Sequence, residues 1–139
     1  MTVHADRIEL DTEGFSQVID ISRQVQEIVE RSGIGLGLCL VSVPGSTASV
    51  TTIEYEEGVR RDLVEALERL APSRVPYHHD ARWGDGNGFS HVRASLMVPS
   101  VTVPVSQGRL ELGTWQQMVL VDHDNRSRHR QLVVRVVGE

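Results

Sequence analysis

Cysteine is almost absent from this sequence of 139 residues, which contains only Cys39. A single cysteine excludes a disulfide bond within the chain and a zinc cluster built from several thiolates of one chain. Cys39 lies in an apolar stretch, and that position favours a buried structural thiol over a reactive nucleophile. We therefore expect Cys39 to contribute to packing rather than to chemistry.

Long apolar runs and an excess of positive charge are also missing. The longest apolar stretch, residues 34–43, is far too short to span a bilayer. The N-terminal residues have neither the basic cluster nor the apolar run of a signal peptide, so we expect a cytoplasmic protein that contacts no membrane. The formal net charge of -5 gives no overall basic field, which argues against nucleic acid as a partner.

One local group of basic residues stands out against this acidic background. Arg126, Arg128, His129 and Arg130 follow one another closely near the C-terminus. We interpret them as a solvated turn, and a contact with a phosphate group is the alternative.

The hydrophobic content of 40% and the charged content of 24% are typical of one globular domain, residues 1–139. Two segments have apolar residues at spacings of three and four and predict amphipathic helices. The first begins at Ser16 as N-cap and ends at Gly33, and the second follows Glu56 and ends before Pro72.

The remaining segments predict strands. In residues 3–10, apolar and polar residues alternate imperfectly, as in a strand. Residues 34–43 are apolar in both phases and predict a mid-sheet strand covered on both faces. Residues 48–55 predict its hairpin partner. Further strands are predicted at residues 91–98, 101–105, 109–112, 115–122 and 131–137. This order predicts an α+β domain with a mainly antiparallel β-sheet and two amphipathic helices.

The segment from Tyr77 to His91 concentrates the side chains that can bind metal or move protons. It contains His78, His79, Asp80, Asp85, Asn87 and His91. Glycines at 84, 86 and 88 interrupt it at every second residue, so we predict a functional loop rather than a regular element.

Two histidines of this loop are the best candidate metal ligands. Neutral imidazoles of His79 and His91 bind zinc and similar ions, and a carboxylate from Asp80 or Asp85 could complete an open site. His78 is expected to point away, because adjacent side chains on extended backbone point in opposite directions. The alternative is a pair of loop histidines that form only local hydrogen bonds.

Other polar residues are candidates for substrate contacts. Glu54 at the end of a strand could carry a proton if its carboxyl group is desolvated, and Ser46 and Thr47 could hold a phosphate with the N–H groups of their turn. Asn87 and Gln116 could donate amide hydrogen bonds. Each has a purely structural alternative.

No nucleotide or flavin cofactor is expected. Glycines at 33, 35 and 37 do not form the Gly-x-Gly-x-x-Gly fingerprint of dinucleotide binding, and they open a strand rather than a helix. Trp115 is interpreted as a core residue, and Arg93 as an arginine on the solvent face of a strand, with diphosphate pairing as the alternative.

Several short motifs together resemble the YjbQ-like family of secondary thiamine-phosphate synthases. They are Ser46-Thr47-Ala48 with Glu54, Asp62 near the start of the second helix, His79-Asp80, Ser90-His91, Pro104-Val105 with Gly108, and Leu112-Gly113-Thr114-Trp115-Gln116. The resemblance runs from about residue 46 to the C-terminus. The chain has Pro44-Gly45 where the family usually has a histidine.

This resemblance implies a compact α+β homotrimer with sites between subunits. Together with the residue chemistry above, it leads us to expect catalytic roles for Glu54, His79 and His91, with a divalent ion, Mg²⁺ or Zn²⁺, on His79, His91 and Asp85. Substrate-binding roles would fall on Ser46, Thr47, Asp62, Asn87 and Gln116.

The implied reaction joins hydroxymethylpyrimidine diphosphate to thiazole phosphate and releases pyrophosphate. Two other functions fit the same residues. One is a metal-dependent hydrolase of a small phosphate or amide compound, and the other is a non-catalytic trimer that binds a small ligand.

Overall fold

Two antiparallel sheets and four helices form the molecule, and the computed structural model describes all residues, 1–139. The strands are β1 (Thr2–Thr12), β2 (Gln17–Asp20), β3 (Leu36–Ser42), β4 (Ala48–Ile53), β5 (Ser100–Ser106), β6 (Arg109–Leu110), β7 (Gln117–Asp122) and β8 (Arg128–Gly138). The helices are α1 (Ser22–Ser32), α2 (Glu57–Leu70), α3 (His78–Trp83) and α4 (Gly88–Met97).

A larger sheet has the strand order β1-β8-β3-β5-β6, and a smaller one has the order β2-β7-β4. Every pairing between strands is antiparallel. The prediction of an α+β fold with antiparallel sheets is therefore confirmed, although the number of helices is four rather than two. No helix has the length and apolar composition needed to cross a membrane.

The main core lies between the two sheets and is closed by α1. Alternate residues of the larger sheet, such as Cys39 and Val134, meet Val50 and Leu120 of the smaller sheet. The apolar stripe of α1 packs against the same cluster, because its apolar residues recur at helical spacing. Cys39 is fully buried, as expected, and burial raises the pKa of its thiol to about 11.

The other face of the smaller sheet is covered by α4. Ser49 on β4 and Val121 on β7 are paired in register and share this face. The Ser49 hydroxyl donates to the carbonyl of Ala94 on α4 across 3.4 Å. The molecule is therefore layered as larger sheet, core, smaller sheet and helix.

Strand β3 lies in the middle of its sheet, as predicted, but only one of its faces is covered. Cys39 and Val41 are buried, whereas Leu36, Leu38 and Leu40 are 67%, 52% and 37% exposed. The prediction of two covered faces is wrong for a single chain, because its outer face meets no other element of this chain. Three leucines in one row leave an apolar strip on the surface.

The predicted hairpin between residues 34–43 and 48–55 is also wrong. Strand β3 pairs with β5 and β8, while β4 pairs with β7 in the other sheet. The turn at Pro44, Gly45 and Ser46 therefore carries the chain from one sheet to the other, and the turn residues alone do not distinguish this from a hairpin.

The first helix begins later than predicted. Ser16 adopts a left-handed backbone with φ 61° and is followed by β2, so it does not cap a helix. Helix α1 begins at Ser22, whose N–H donates to the carboxylate of Asp20 across 2.9 Å. The second helix was predicted correctly, and the Glu56 side chain caps it by accepting from Gly58 and Val59 N–H groups.

Residues 77–98 contain two helices where we predicted a loop followed by a strand. Gly84 is the left-handed C-cap of α3, and Gly88 begins α4. The closely spaced glycines therefore mark helix ends rather than a structureless loop. Helix α4 then continues through the predicted strand at 91–98 and buries Phe89, Arg93 and Ala94.

Candidate functional site

Three side chains around the α3–α4 connection form a group able to hold a metal ion. His79 lies in the first turn of α3, with Asp80 beside it and Asp85 just beyond the helix. The His79 Nδ1 atom is 3.3 Å from Asp85 Oδ1 and 3.5 Å from Asp80 Oδ1. One ligand atom from each residue lies within 4.8 Å of the others.

The Nδ1 atom of His79 is buried and forms no well-aligned hydrogen bond, although both carboxylates lie within 3.5 Å. A buried polar atom without a partner is costly, so it needs either a proton shared with a carboxylate or a cation. One imidazole nitrogen and two carboxylate oxygens suit a divalent ion with open coordination positions.

His91 lies beside this group. It is in the first turn of α4, and its ring centre is 4.4 Å from that of His79, with the two planes 39° apart. His91 is therefore placed to act as a proton carrier or a further ligand, whereas His78 is exposed and takes no part.

Backbone hydrogen bonds fix the two carboxylates. The Gly88 N–H donates to Asp80 Oδ1 across 2.8 Å, and the Asn87 N–H donates to Asp85 Oδ1 across 3.2 Å. A side chain at Gly88 would bring its Cβ within 2.6 Å of the Tyr77 Cβ, so glycine permits this close approach of α3 and α4.

Asn87 joins this segment to the β7–β8 connection. Its side-chain oxygen accepts from the Ser90 hydroxyl across 2.7 Å and from the Asn125 N–H across 3.0 Å. The Asn125 side chain in turn donates to the carbonyl of Asp85 across 2.8 Å. The α3–α4 and β7–β8 connections therefore lie together on the same side of the molecule.

A buried charged network that was not predicted from the sequence surrounds the β7–β8 connection. Arg130 donates to both oxygens of Asp122 at 2.7 and 3.0 Å and to the Thr47 hydroxyl at 2.7 Å. Thr47 donates to Asp124, which also accepts from Arg128. The interpretation of this cluster as a solvated turn is wrong for Arg130, because its charge is needed to balance two buried carboxylates.

Burial and hydrogen bonding act in opposite directions on Asp124. Burial raises the pKa of this carboxyl group, but hydrogen bonds from Thr47 and Arg128 outweigh it, so the net pKa lies below its ordinary value. Asp124 is therefore charged at neutral pH although it is fully buried.

A second buried group runs from α4 through His123. Arg93 can only donate, so its bond to the Ser16 hydroxyl at 3.0 Å leaves the Ser16 proton for His123 Nδ1 at 2.8 Å. His123 Nε2 must then carry the proton that is shared with Ser49 at 3.1 Å. This order fixes the neutral tautomer of His123.

Burial, followed by the positive charge of Arg93, lowers the pKa of His123 to about 4. Arg93 itself is buried and also pairs with Glu68, so its assignment to a solvent-exposed strand face is wrong. The Asp-His-Asp sequence at the end of the apolar strand β7 was the available signal for this network.

The comparisons with known proteins agree with this architecture. The family described as UPF0047 protein YjbQ-like matches residues 6–139. The chain belongs to this YjbQ-like family.

Its relatives are spread over bacteria and archaea. A UPF0047 protein of Mycobacterium tuberculosis is 48% identical over 129 residues, which are 91% of this chain and 94% of the relative. One from Archaeoglobus fulgidus is 36% identical over 130 residues, 94% of this chain and 98% of the relative.

A crystal structure of a YbjQ-like protein of unknown function from Sulfolobus solfataricus has a TM-score of 0.94 at 33% identity and covers 99% of both chains. A hypothetical protein from Aeropyrum pernix has a TM-score of 0.90 at 32% identity, covering 98% of this chain and 99% of that one.

The residues predicted for the site of this YjbQ-like chain fall into two sets. The structure brings His79, His91, Asp85 and Asn87 together. Thr47 is connected to this set by its hydrogen bond to Asp124. Ser46 is exposed, and the Thr47 hydroxyl is already bonded to Asp124 and Arg130, so a phosphate contact by this pair is not preformed.

The second set lies elsewhere in the YjbQ-like chain. Glu54 follows β4 at the end opposite Thr47, about 20 Å away along the strand, and it is exposed rather than desolvated. Asp62 is exposed in the second turn of α2, because this helix begins at Glu57.

Gln116 is exposed and bonded to Thr52, and Trp115 is exposed rather than part of the core. The Trp115 ring lies in the connection between β6 and β7, outside the apolar core. Neither residue reaches the His79 group within one chain.

Proposed function

We propose that this chain is a divalent-metal-dependent enzyme for a phosphorylated small molecule, and that its reaction is thiamine phosphate synthesis. The observation that carries the proposal is the buried, unpartnered Nδ1 of His79 facing the carboxylates of Asp80 and Asp85. The family resemblance supports the substrates: hydroxymethylpyrimidine diphosphate and thiazole phosphate.

In this reaction the thiazole nitrogen forms a bond to the exocyclic methylene carbon of the pyrimidine. The carbon–oxygen bond to diphosphate breaks, and its electron pair leaves with pyrophosphate. A divalent ion on His79, Asp80 and Asp85 would supply positive charge for the leaving oxygens. His91, whose ring lies 4.4 Å from that of His79, would give a proton to the released pyrophosphate.

Three arginines around this group cannot take the place of such an ion. Arg130 and Arg128 are paired with Asp122 and Asp124, and Arg93 is paired with Glu68. None of the three is free to neutralise a diphosphate. We therefore expect the activity to depend on added metal.

The test is thiamine phosphate formation by the purified chain with Mg²⁺, with Zn²⁺ and with a chelator. His79→Ala should abolish both metal binding and product, whereas His78→Ala, at the exposed neighbouring histidine, should retain both. No product under any metal condition would refute the synthase reaction, and equal losses in the two variants would refute the assigned site.

A metal-dependent hydrolase is the second candidate, and the position of His91 beside His79 favours it. An imidazole next to an open metal site can accept a proton from bound water. Stoichiometric metal, no synthase product and release of phosphate from a phosphate ester would support this reaction. Absence of bound metal would count against both candidates.

We propose the homotrimer on the basis of the strip formed by Leu36, Leu38 and Leu40. Monomers seldom leave such an apolar row uncovered. Leu38→Glu should convert the assembly to monomers in light scattering after gel filtration, whereas Leu70→Glu, at an exposed leucine of α2, should leave the assembly intact. A monomeric parent protein would refute the trimer.

A trimer would also explain the isolated position of Glu54. Mixing the inactive variants Glu54→Ala and His91→Ala should restore activity if the two residues meet across a subunit interface. Since they lie apart within one chain, no recovery after exchange of subunits would show that Glu54 is outside the site.

A further inference from the structure

A second concave site lies between β2 and α2, away from the His79 group. It is a groove of about 680 Å³, within the range of small-molecule sites, which is roughly 300–1,000 Å³. Phe15, Val18, Tyr55 and Val64 supply apolar surface, and Arg60 and Arg61 supply positive charge. None of its lining residues belongs to the His79 group.

The positive charge comes from one face of α2. Arg60 is held in place because its guanidinium lies 4.3 Å from the centre of the Tyr55 ring and donates to the Tyr55 hydroxyl across 3.3 Å. Neither Arg60 nor Arg61 forms an ion pair with a carboxylate, in contrast to the buried Arg93 and Arg130. These two guanidinium groups are available to an anion.

The aromatic surface comes from a strained turn. Phe15 and Ser16 both have left-handed backbones, with φ 53° and 61°, which is unfavourable for residues other than glycine. The Phe15 ring is stacked on Phe89 at 6.2 Å, yet the residue remains 58% exposed. The turn therefore holds the Phe15 ring partly exposed at the groove, although an aromatic ring is ordinarily buried.

We propose that this groove binds a small, flat aromatic compound that carries an anionic group. Its ring stacks against the aromatic surface of Phe15, and its anionic group pairs with Arg60 and Arg61. This site is separate from the proposed metal site and does not depend on the reaction assigned there.

Two acidic residues limit the affinity. Glu57 and Glu65 also line the groove, one turn before and one turn after Arg61. Their negative charges repel an anion, so neutralising them tests whether the bound ligand is negatively charged. An aromatic anion should bind more tightly to the variant Glu57→Gln with Glu65→Gln.

The probe is phenyl phosphate, titrated by calorimetry into the full chain with chelator present so that the metal site is empty. We expect binding at least tenfold tighter than that of cyclohexyl phosphate or inorganic phosphate. Arg61→Ala and Phe15→Ala should each weaken it about tenfold. Arg69→Ala, on the same helix but outside the groove, and His79→Ala should leave it unchanged.

Three results would overturn the proposal. The first is no heat of binding at millimolar phenyl phosphate, and the second is equal affinity for inorganic phosphate. The third is loss of binding in His79→Ala but not in Arg61→Ala, which would place the anion at the metal site. Because Phe15→Ala could alter the strained turn, the surface variant Arg61→Ala decides between these outcomes.

Discussion

The neutral, fully buried His123 should make the stability of this protein depend on pH. Burial, followed by the charge of Arg93, lowers the pKa of His123 from 6.5 to about 4. The unfolded chain therefore binds a proton near pH 6.5, while the folded chain binds it only near pH 4. Between these values the unfolded state holds more protons, so stability rises with pH and falls on acidification.

The size of this effect follows from the two pKa values. A difference of about 2.5 units corresponds to about 3 kcal/mol in total, of which about 2 kcal/mol is already lost at pH 5. That is a large part of the free energy of unfolding of a typical domain, which is about 5–15 kcal/mol.

Urea denaturation of the parent and of His123→Gln at several pH values between 4 and 7 isolates this contribution. The glutamine can accept from Ser16 and donate to Ser49, but it does not titrate. We expect the parent to lose about 2 kcal/mol more than the variant between pH 7 and pH 5.

Other titrating groups are present in both proteins and cancel in this comparison. The exposed His129 acts in the opposite direction, because hydrogen bonding to Asp11 raises its pKa, so its stabilising effect is lost as pH rises. Parallel stability curves for parent and variant would refute the buried, neutral state of His123.

Three further predictions concern packing and buried charge. The thiol of Cys39, whose pKa is raised from 9.0 to about 11 by burial, should react with a disulfide reagent at least about 100-fold more slowly in the folded protein than in urea. Gly37→Ala should lower the free energy of unfolding by about 1–3 kcal/mol, since the alanine Cβ would lie 2.0 Å from a backbone oxygen of β8. A thermal melt unchanged from that of the parent would refute this contact. Asp122→Asn should cost about 3–5 kcal/mol in urea denaturation, because it removes the main counter-charge of the buried Arg130, and a loss below about 1 kcal/mol would contradict the network.

The helices and strands that were predicted correctly are those whose own residues indicate their type and their ends. Helix α2 has an acidic start, apolar residues at helical spacing and a following proline, and it forms where expected. The strands after residue 100 were also predicted, because turn residues separate their β-branched runs.

Prediction failed where a residue has different roles in different tertiary settings. Gly84 and Gly88 mark helix ends, although their close spacing resembles a flexible loop. Ser16 has the side chain of a helix cap, yet its hydroxyl bonds to His123, which is 107 residues away along the chain. Neither partner can be identified from neighbouring residues.

The candidate site was also predictable only where its residues are close together in the sequence. His79, Asp85 and His91 are close in sequence, and the short α3–α4 connection brings them together. Arg130 and Asp122 are only eight residues apart, but they lie on strands of different sheets, and charged residues near a turn ordinarily face solvent.

The pairing of β1 with β8 has a consequence for the order of folding. Residues Thr2 to Thr12 are matched one by one with residues Gly138 to Arg128. During synthesis β1 is made before all the other strands and must remain without its partner until β8 has followed. Because β8 also separates β1 from β3, the larger sheet cannot extend to β1 before that moment, so this protein should fold slowly.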